Sequence, residues 1–222
     1  MLKKILIGLL ILVLLAGGYF LSIMSSTGFF RTIENQSWGE VHQEISLKGA
    51  EDFTIDYENE LMIISAFDRA GERREEAPTG GLYVMDLSSE FFEPIRLDDG
   101  LGQGFHPHGI GLLKMDSTTY QLLVVNHQNG NHTIEQFELR LPDHLAHIQT
   151  FDNEMIVSPN DAVWLDEKRF YFTNDHKNTK GIKLIAENYL GLPLSNVVYY
   201  NGDNFSEAAG GIQYANGINI RS

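Results

Sequence analysis

Four polar residues stand at nearly equal intervals along the chain: Glu51, His108, Asn160 and Asn216, separated by 57, 52 and 56 residues. Each opens the same layout of a polar residue, a short apolar stretch, a turn and a second apolar stretch. The copies read "EDFTIDYENELMIISAF", "HGIGLLKMDSTTYQLLVVN", "NDAVWLDEKRFYFTN" and, at the start of a fourth, "NGINI". Asp52 and Asp161 follow Glu51 and Asn160 directly, so two copies carry oxygen-bearing doublets. Carboxylates and carboxamides are costly to bury without partners. A calcium ion takes roughly six to eight such oxygens and would satisfy them. His108 is a poor calcium ligand, and its imidazole suits acid–base work beside a metal. Taken alone, Pro159-Asn160-Asp161 reads as a turn, since all three are common turn residues. The repeat changes that reading.

The elements that must position these residues are mostly strands. "DFTIDYE", "LMIISAF", "GLYVMDL", "HGIGLLKM", "YQLLVVN", "TIEQFEL", "AHIQTF", "DAVWL", "RFYFTN" and "SNVVYY" are short, β-branched or aromatic, and bounded by Gly, Asn, Asp or Pro. One stretch, "IKLIAENYLG", has helical spacing and a glycine stop at Gly191. The interval is somewhat longer than the roughly 40–50 residues of common propeller repeats, and it fits one four-stranded blade. The fold predicted is therefore all-β, a β-propeller. The first strand of each blade lines the channel of such a fold, which would bring the four polar positions together at one level.

The N-terminus is a separate matter. Lys3 and Lys4 precede an uncharged apolar run from Ile5 to Met24. A helix of that length spans a bilayer, and lysines ahead of it predict a cytoplasmic N-terminus with the remainder outside. A cleaved signal peptide is the competing reading, although its apolar core is usually shorter and no clear small-residue cleavage site follows. Residues 1–30 are thus expected to be a signal-anchor or transmembrane segment, and residues 31–222 a partial propeller. The propeller would be periplasmic or extracellular, membrane-anchored through residues 5–24, or secreted if the segment is removed.

Composition excludes several classes. There are no cysteines, which removes disulfides, thiolate nucleophiles, cysteine-based metal sites and a lipoprotein anchor. The net charge of −14, from 30 acidic and 16 basic residues, would repel nucleic acid and suits a protein that collects hard cations. No G-x-S-x-G nucleophile motif occurs.

The stretches "FHPHGIGLL", "YQLLVVNHQ", "SPNDAVWLDEKRFYFTNDH", "YLGLPLSNVVYY" and "YANGINI", with "AEDFTID" upstream, occur in that order. From about Glu51 to the C-terminus the chain resembles the paraoxonase/arylesterase family of calcium-dependent six-bladed propellers. The resemblance implies two calcium ions (Ca2+) in the channel and hydrolysis of small-molecule lactones and aryl esters. Glu51, Asn160 and Asn216 would bind the catalytic ion; Asp52, Asp161 and the backbone carbonyl of Ile110 would bind the structural one. His108 and His127 match a histidine pair beside the catalytic calcium, with His127 expected to orient His108 through a hydrogen bond. Asp175 and His176 match a supporting pair behind them.

Two departures qualify these expectations, one of them that the family's animal members close the ring with a disulfide, which this chain, without cysteine, cannot form. About three and a half blades are represented up to Ser222, and the family draws a further Asp-Asn pair of ligands from a later blade. The sequence is therefore expected to be part of a longer protein or a truncated product, inactive by itself. A non-catalytic propeller binding module, or an inactive fragment, is the alternative reading. "FDRAGERREEAPTGG" also departs from the family pattern and is expected to form a solvated loop near the rim of the site, where it would alter substrate choice. The spacing of His42, His106, His132, His144 and His147 suggests no role for any of them.

Overall fold

The computed structural model describes residues 1–34, 36, 38–74, 76, 80–98 and 105–220. They form two compact units, residues 1–42 and 43–222.

The first unit is dominated by helix α1, Leu2–Ser26. Its run of Leu, Ile and Ala favours a helix. None of its residues is buried. At 1.5 Å per residue its 25 residues extend about 37 Å, and it is long and apolar enough to cross a membrane.

The second unit is mostly β. Strands β1 (Ala50–Asp56), β2 (Leu61–Phe67), β3 (Gly80–Asp86) and β4 (Ile95–Arg96) form one antiparallel sheet. Strands β5 (Pro107–Lys114), β6 (Thr119–Asn126), β7 (Thr133–Arg140) and β8 (His144–Phe151) form the second. Strands β9 (Pro159–Trp164), β10 (Phe170–Asn174), β11 (Ser195–Tyr200) and β12 (Phe205–Ile212) form the third. In each sheet the strands neighbour one another in chain order, and each sheet's first strand carries one of Glu51, His108 and Asn160. Two short helices interrupt the sheets: α2 (Arg69–Arg73) and α3 (Gly181–Leu190). Gly191 closes α3 with φ 60°, a left-handed conformation that costs glycine little.

The inner strands of the middle sheet are buried on both faces, while β8 at its edge is mostly exposed. Along β6, Tyr120, Leu122 and Val124 pack against Leu61, Ile63, Leu82 and Val84 of the first sheet. The alternate residues Leu123 and Val125 pack against Ala162, Trp164, Phe170 and Phe172 of the third. Successive side chains of a strand point to opposite faces, so a strand buried on both sides must be apolar throughout. That is the reason for the unbroken "LLVV".

The first strands approach closely. A Cβ on Gly109 would stand 2.3 Å from the Asn160 carbonyl oxygen, and one on Gly111 2.5 Å from that of Ala162. Only glycine permits this contact between β5 and β9. The first and second sheets are also tied by Asp56, whose Oδ2 accepts from Tyr120 Oη at 2.6 Å and faces Lys114 Nζ at 3.0 Å.

Three features differ from the sequence expectation. Strands β4 and β12 were not apparent, because β4 has two residues and "FSEAAGGI" is mostly exposed and lacks β-branched alternation. Residues 216–220, expected to open a fourth blade, are not in a strand; no described strand is available to pair with them. Part of the expected rim loop is helical. Asp68 caps α2 by accepting the Gly71 N–H at 2.8 Å. Residues 75 and 77–79 of that stretch lie outside the described residues.

Candidate functional site

Strand pairing slips at each of the doublets. In β1, Ala50 and Asp52 oppose Ala66 and Ser65, leaving Glu51 as an extra residue. In β5, three steps from Pro107 to Ile110 oppose two from Asn126 to Val124, so the irregularity falls at His108-Gly109. In β9, three steps from Pro159 to Ala162 oppose two from Asn174 to Phe172, at Asn160-Asp161. A bulge breaks the strict alternation of side chains and re-aims them, and such bulges are common next to active sites.

The first members of the doublets meet at His108, which is buried. Asn160 Nδ2 lies 3.1 Å from His108 Nε2, and Glu51 Oε1 lies 3.5 Å from the same nitrogen. Asn160 is buried, whereas Glu51 is exposed. The Ser65 hydroxyl donates to the His108 carbonyl from the neighbouring sheet. His108 Nδ1 is buried with no hydrogen-bond partner.

The second members reach across to the next copy of the repeat. Asp52 Oδ2 accepts the Ile110 N–H at 2.8 Å, and Asp161 Oδ2 accepts the Ile218 N–H at 2.8 Å. Each also accepts its own following N–H through Oδ1, from Phe53 and Ala162 respectively. Asp52, Ile110, Asp161 and Ile218 line a common cavity of about 460 Å³. Burial pushes the Asp161 carboxyl up to about 6; the Ile218 N–H opposes this and the Asp52 charge adds to it. Burial likewise raises Asp52, against the Ile110 and Phe53 N–H groups. Asn216 is exposed, and its Oδ1 accepts the N–H of its own neighbour Gly217 at 2.9 Å. It is not brought into hydrogen-bond contact with Glu51, His108 or Asn160.

On the other side of His108 lies a second cavity, of about 290 Å³, into which His108, His127 and Asp175 also open. The expected hydrogen bond between His108 and His127 is not formed: their rings meet edge to face with centroids 5.1 Å apart. His127 Nδ1 instead pairs with His132 Nδ1 at 2.7 Å. Burial, with the charges of His132, Arg69 and His106, presses the His127 imidazole down to about 3. Behind them, Asp175 Oδ1 accepts from Ser158 Oγ at 2.5 Å and contacts His176 Nδ1 at 2.8 Å, while His176 Nε2 lies 2.6 Å from Asn188 Oδ1 of α3.

Residues 48–222 match the arylesterase family model. This chain belongs to the arylesterase family. The chain is 38% identical to serum paraoxonase/arylesterase 2 of Gallus gallus over 179 residues, which cover 78% of this chain and 50% of that relative. It is 40% identical to serum paraoxonase/arylesterase 1 of Mus musculus over 117 residues, covering 52% of this chain and 33% of the relative. With Homo sapiens serum paraoxonase/arylesterase 2 the identity is 36% over 145 residues, covering 64% and 41%. The chain spans half or less of the length of these relatives.

His132, His106 and Arg69 reach the site without having been expected there. For His132 the signal lay in the turn between two strands: Gln128–Gly130 forms a single 3₁₀ turn that returns the chain beside His127. Arg69 enters from α2, and its position depends on that helix's cap. Among the described residues no group of three or more His, Asp or Glu side chains could hold a metal ion. The donors that the chain does gather are of a different kind: the half-buried carboxylates of Asp52 and Asp161, each raised by burial and by a neighbouring acid (Glu51 for Asp52, Asp52 for Asp161), with the Glu51 carboxylate and the Asn160 carboxamide next to them in the chain. That set fits a hard cation such as calcium and does not fit a softer metal.

Proposed function

We propose that the full-length protein is a calcium-dependent hydrolase of lactones and aryl esters. The observation that carries this reading is the meeting of Glu51 and Asn160 at His108 Nε2, within a chain of the arylesterase family. Asp52, Asp161 and the Ile110 carbonyl would hold one calcium ion, and Glu51 with Asn160 would contribute to a second, which Asn216 would join by turning inward. Bound calcium would polarise the ester carbonyl and stabilise the developing oxyanion.

The chain's own residues would do the rest. His108 accepts a proton from the attacking water through Nε2, the nitrogen that faces Asn160 and Glu51. The water oxygen adds to the carbonyl carbon, the ester C–O bond breaks, and the proton passes to the departing alkoxide or phenoxide. His127, neutral across ordinary pH, packs on the His108 ring and limits its tilt without competing for the proton. Ser65 fixes the His108 backbone, and Asp175 with His176 anchors the loop below.

His108→Gln is expected to lower kcat for phenyl acetate and for γ-lactones by about 10²- to 10⁴-fold, the usual contribution of a general base. The calcium dependence of the unfolding midpoint should change little. Wild-type kcat in this variant would remove His108 from the role. The exposure of Asn216 favours a second reading, a calcium-binding module without catalysis, which predicts calcium-dependent stability and no turnover from the wild type.

A further inference from the structure

The cavity beside His108 and His127 is bounded by α2, and α2 brings it two arginines, Arg69 and Arg73. We propose that these arginines form an anion-recognising wall, and that the lactone or ester taken at this site carries a carboxylate. This substrate class rests on the hydrolase reading above.

The two acids that share the cavity both have cationic or donor neighbours. Asp175 accepts from Ser158 and contacts His176. Glu72 Oε1 lies 3.7 Å from His106 Nδ1. Neither Arg69 nor Arg73 makes a hydrogen bond or ion pair with any described residue. Their neighbour Arg74 shows how readily a partner is found, since its Nε and Nη2 grip Glu76 at 2.8 and 2.9 Å. In a chain with 30 acidic and 16 basic residues, two unpaired arginines at one cavity are an exception. Arg69 is half-buried, so its guanidinium has lost part of its hydration with no ion-pair partner among the described residues. A planar five-donor fork matches a carboxylate bidentately.

The surroundings narrow the ligand further. A volume of about 290 Å³ admits a small ring with its substituents. Phe67 stacks on His106 at 3.9 Å, offering a flat wall to the ring. Glu72 and Asp175 would oppose a dianionic phosphate more strongly than a monoanionic carboxylate. The arginines are also pre-positioned. The buried Asp68 carboxylate caps α2, and a Cβ on Gly71 would stand 2.6 Å from Asp68 Oδ2, so the short helix is fixed against its cap.

The test is an NMR titration of the full chain, held in a non-ionic detergent, with two lactones of matched size. One is γ-valerolactone, and the other carries a carboxylate in place of its methyl group. The carboxylated lactone should bind about tenfold more tightly, as expected for a charge-assisted hydrogen-bonded pair. Added salt should narrow the difference. It should vanish in the Arg69→Gln/Arg73→Gln double variant and survive in part in Arg69→Lys, which retains the charge. Equal affinity for both lactones in the wild type would overturn the proposal, and so would a preference that persists in the folded double variant. Ring opening of each lactone, followed by proton release, separates this from the hydrolase reading. Charge-dependent binding without ring opening of either would overturn hydrolysis and keep the anion wall. Ring opening of both at a ratio indifferent to the arginines would do the reverse.

Discussion

At the scale of single residues, the site is a contest for one nitrogen. Asn160 and Glu51 both address His108 Nε2, at 3.1 and 3.5 Å. The amide can donate only to an unprotonated nitrogen, whereas the carboxylate favours a protonated one, so both states have a partner. The other histidines are biased in opposite directions. Burial and neighbouring charge hold His127 down to about 3. At His176 burial also acts downward, but the hydrogen bonds it donates to Asn188 and Asp175 outweigh it and raise the imidazole above its ordinary 6.5. His127 therefore stays neutral through the physiological range, while His176 remains protonated above the pH at which a free histidine would lose its proton. The sign for stability follows. The His176 contribution is complete below 6.5 and is lost as pH rises through its folded value, whereas protonation of unfolded His127 costs stability as pH falls from 6.5 towards about 3. Imidazole ¹H–¹⁵N spectra recorded across pH should show His127 unprotonated and flat, with the His176 midpoint above the ordinary value. Titration of His127 near 6.5 would mean its cavity is wetter and less cationic than described. The doublets Glu51-Asp52 and Asn160-Asp161 were legible in the sequence because the blade repeat marks them. Arg69 and His132 were not, because each arrives through a turn or capped helix whose closure no repeat encodes.

At the scale of elements, three bulges and two glycines set the geometry. Each first strand gains one residue against its partner, at Glu51-Asp52, His108-Gly109 and Asn160-Asp161, which frees the polar side chains there from strict alternation. Gly109 and Gly111 then let β5 lie against the β9 backbone. Gly109→Ala would place a methyl within 2.5 Å of both the Asn160 carbonyl oxygen and the Asp161 Cα, and a backbone cannot yield as a side-chain tip can. We expect a loss of about 3 kcal/mol in unfolding free energy, at the upper end for overpacking. His108–Asn160 contact should weaken with it. Denaturant unfolding measures the first effect, and a cost below roughly 0.5 kcal/mol, the range of a neutral surface change, would contradict the described contact. Strand type was clear where apolar runs were long, as in β6, and the Gly191 stop of α3 was readable from sequence alone. The bulges were not readable, because a bulge is a property of two paired strands and a linear pattern shows only one of them.

At the scale of the molecule, the second unit is three stacked meander sheets whose first strands carry the chemistry. We infer that they are successive blades of a propeller around a channel that holds calcium. The intervals of 57, 52 and 56 residues made the number of sheets legible in the sequence, since the described sheets begin near the marked positions. The central claim is that the clustered oxygens at Glu51, Asp52, Asn160 and Asp161 exist for a cation. Without one, Asp52 and Asp161 line one cavity half-buried, and each carboxyl is raised, chiefly by burial. A cation that binds only the folded state adds its binding free energy to folding, about 3 kcal/mol at roughly a hundred times Kd. The most direct test is the thermal unfolding midpoint of the protein in millimolar calcium and in EGTA, beside the Asp161→Asn variant. The account predicts a higher midpoint with calcium and a much smaller difference in the variant. An identical midpoint with calcium and with EGTA in the wild type would contradict it.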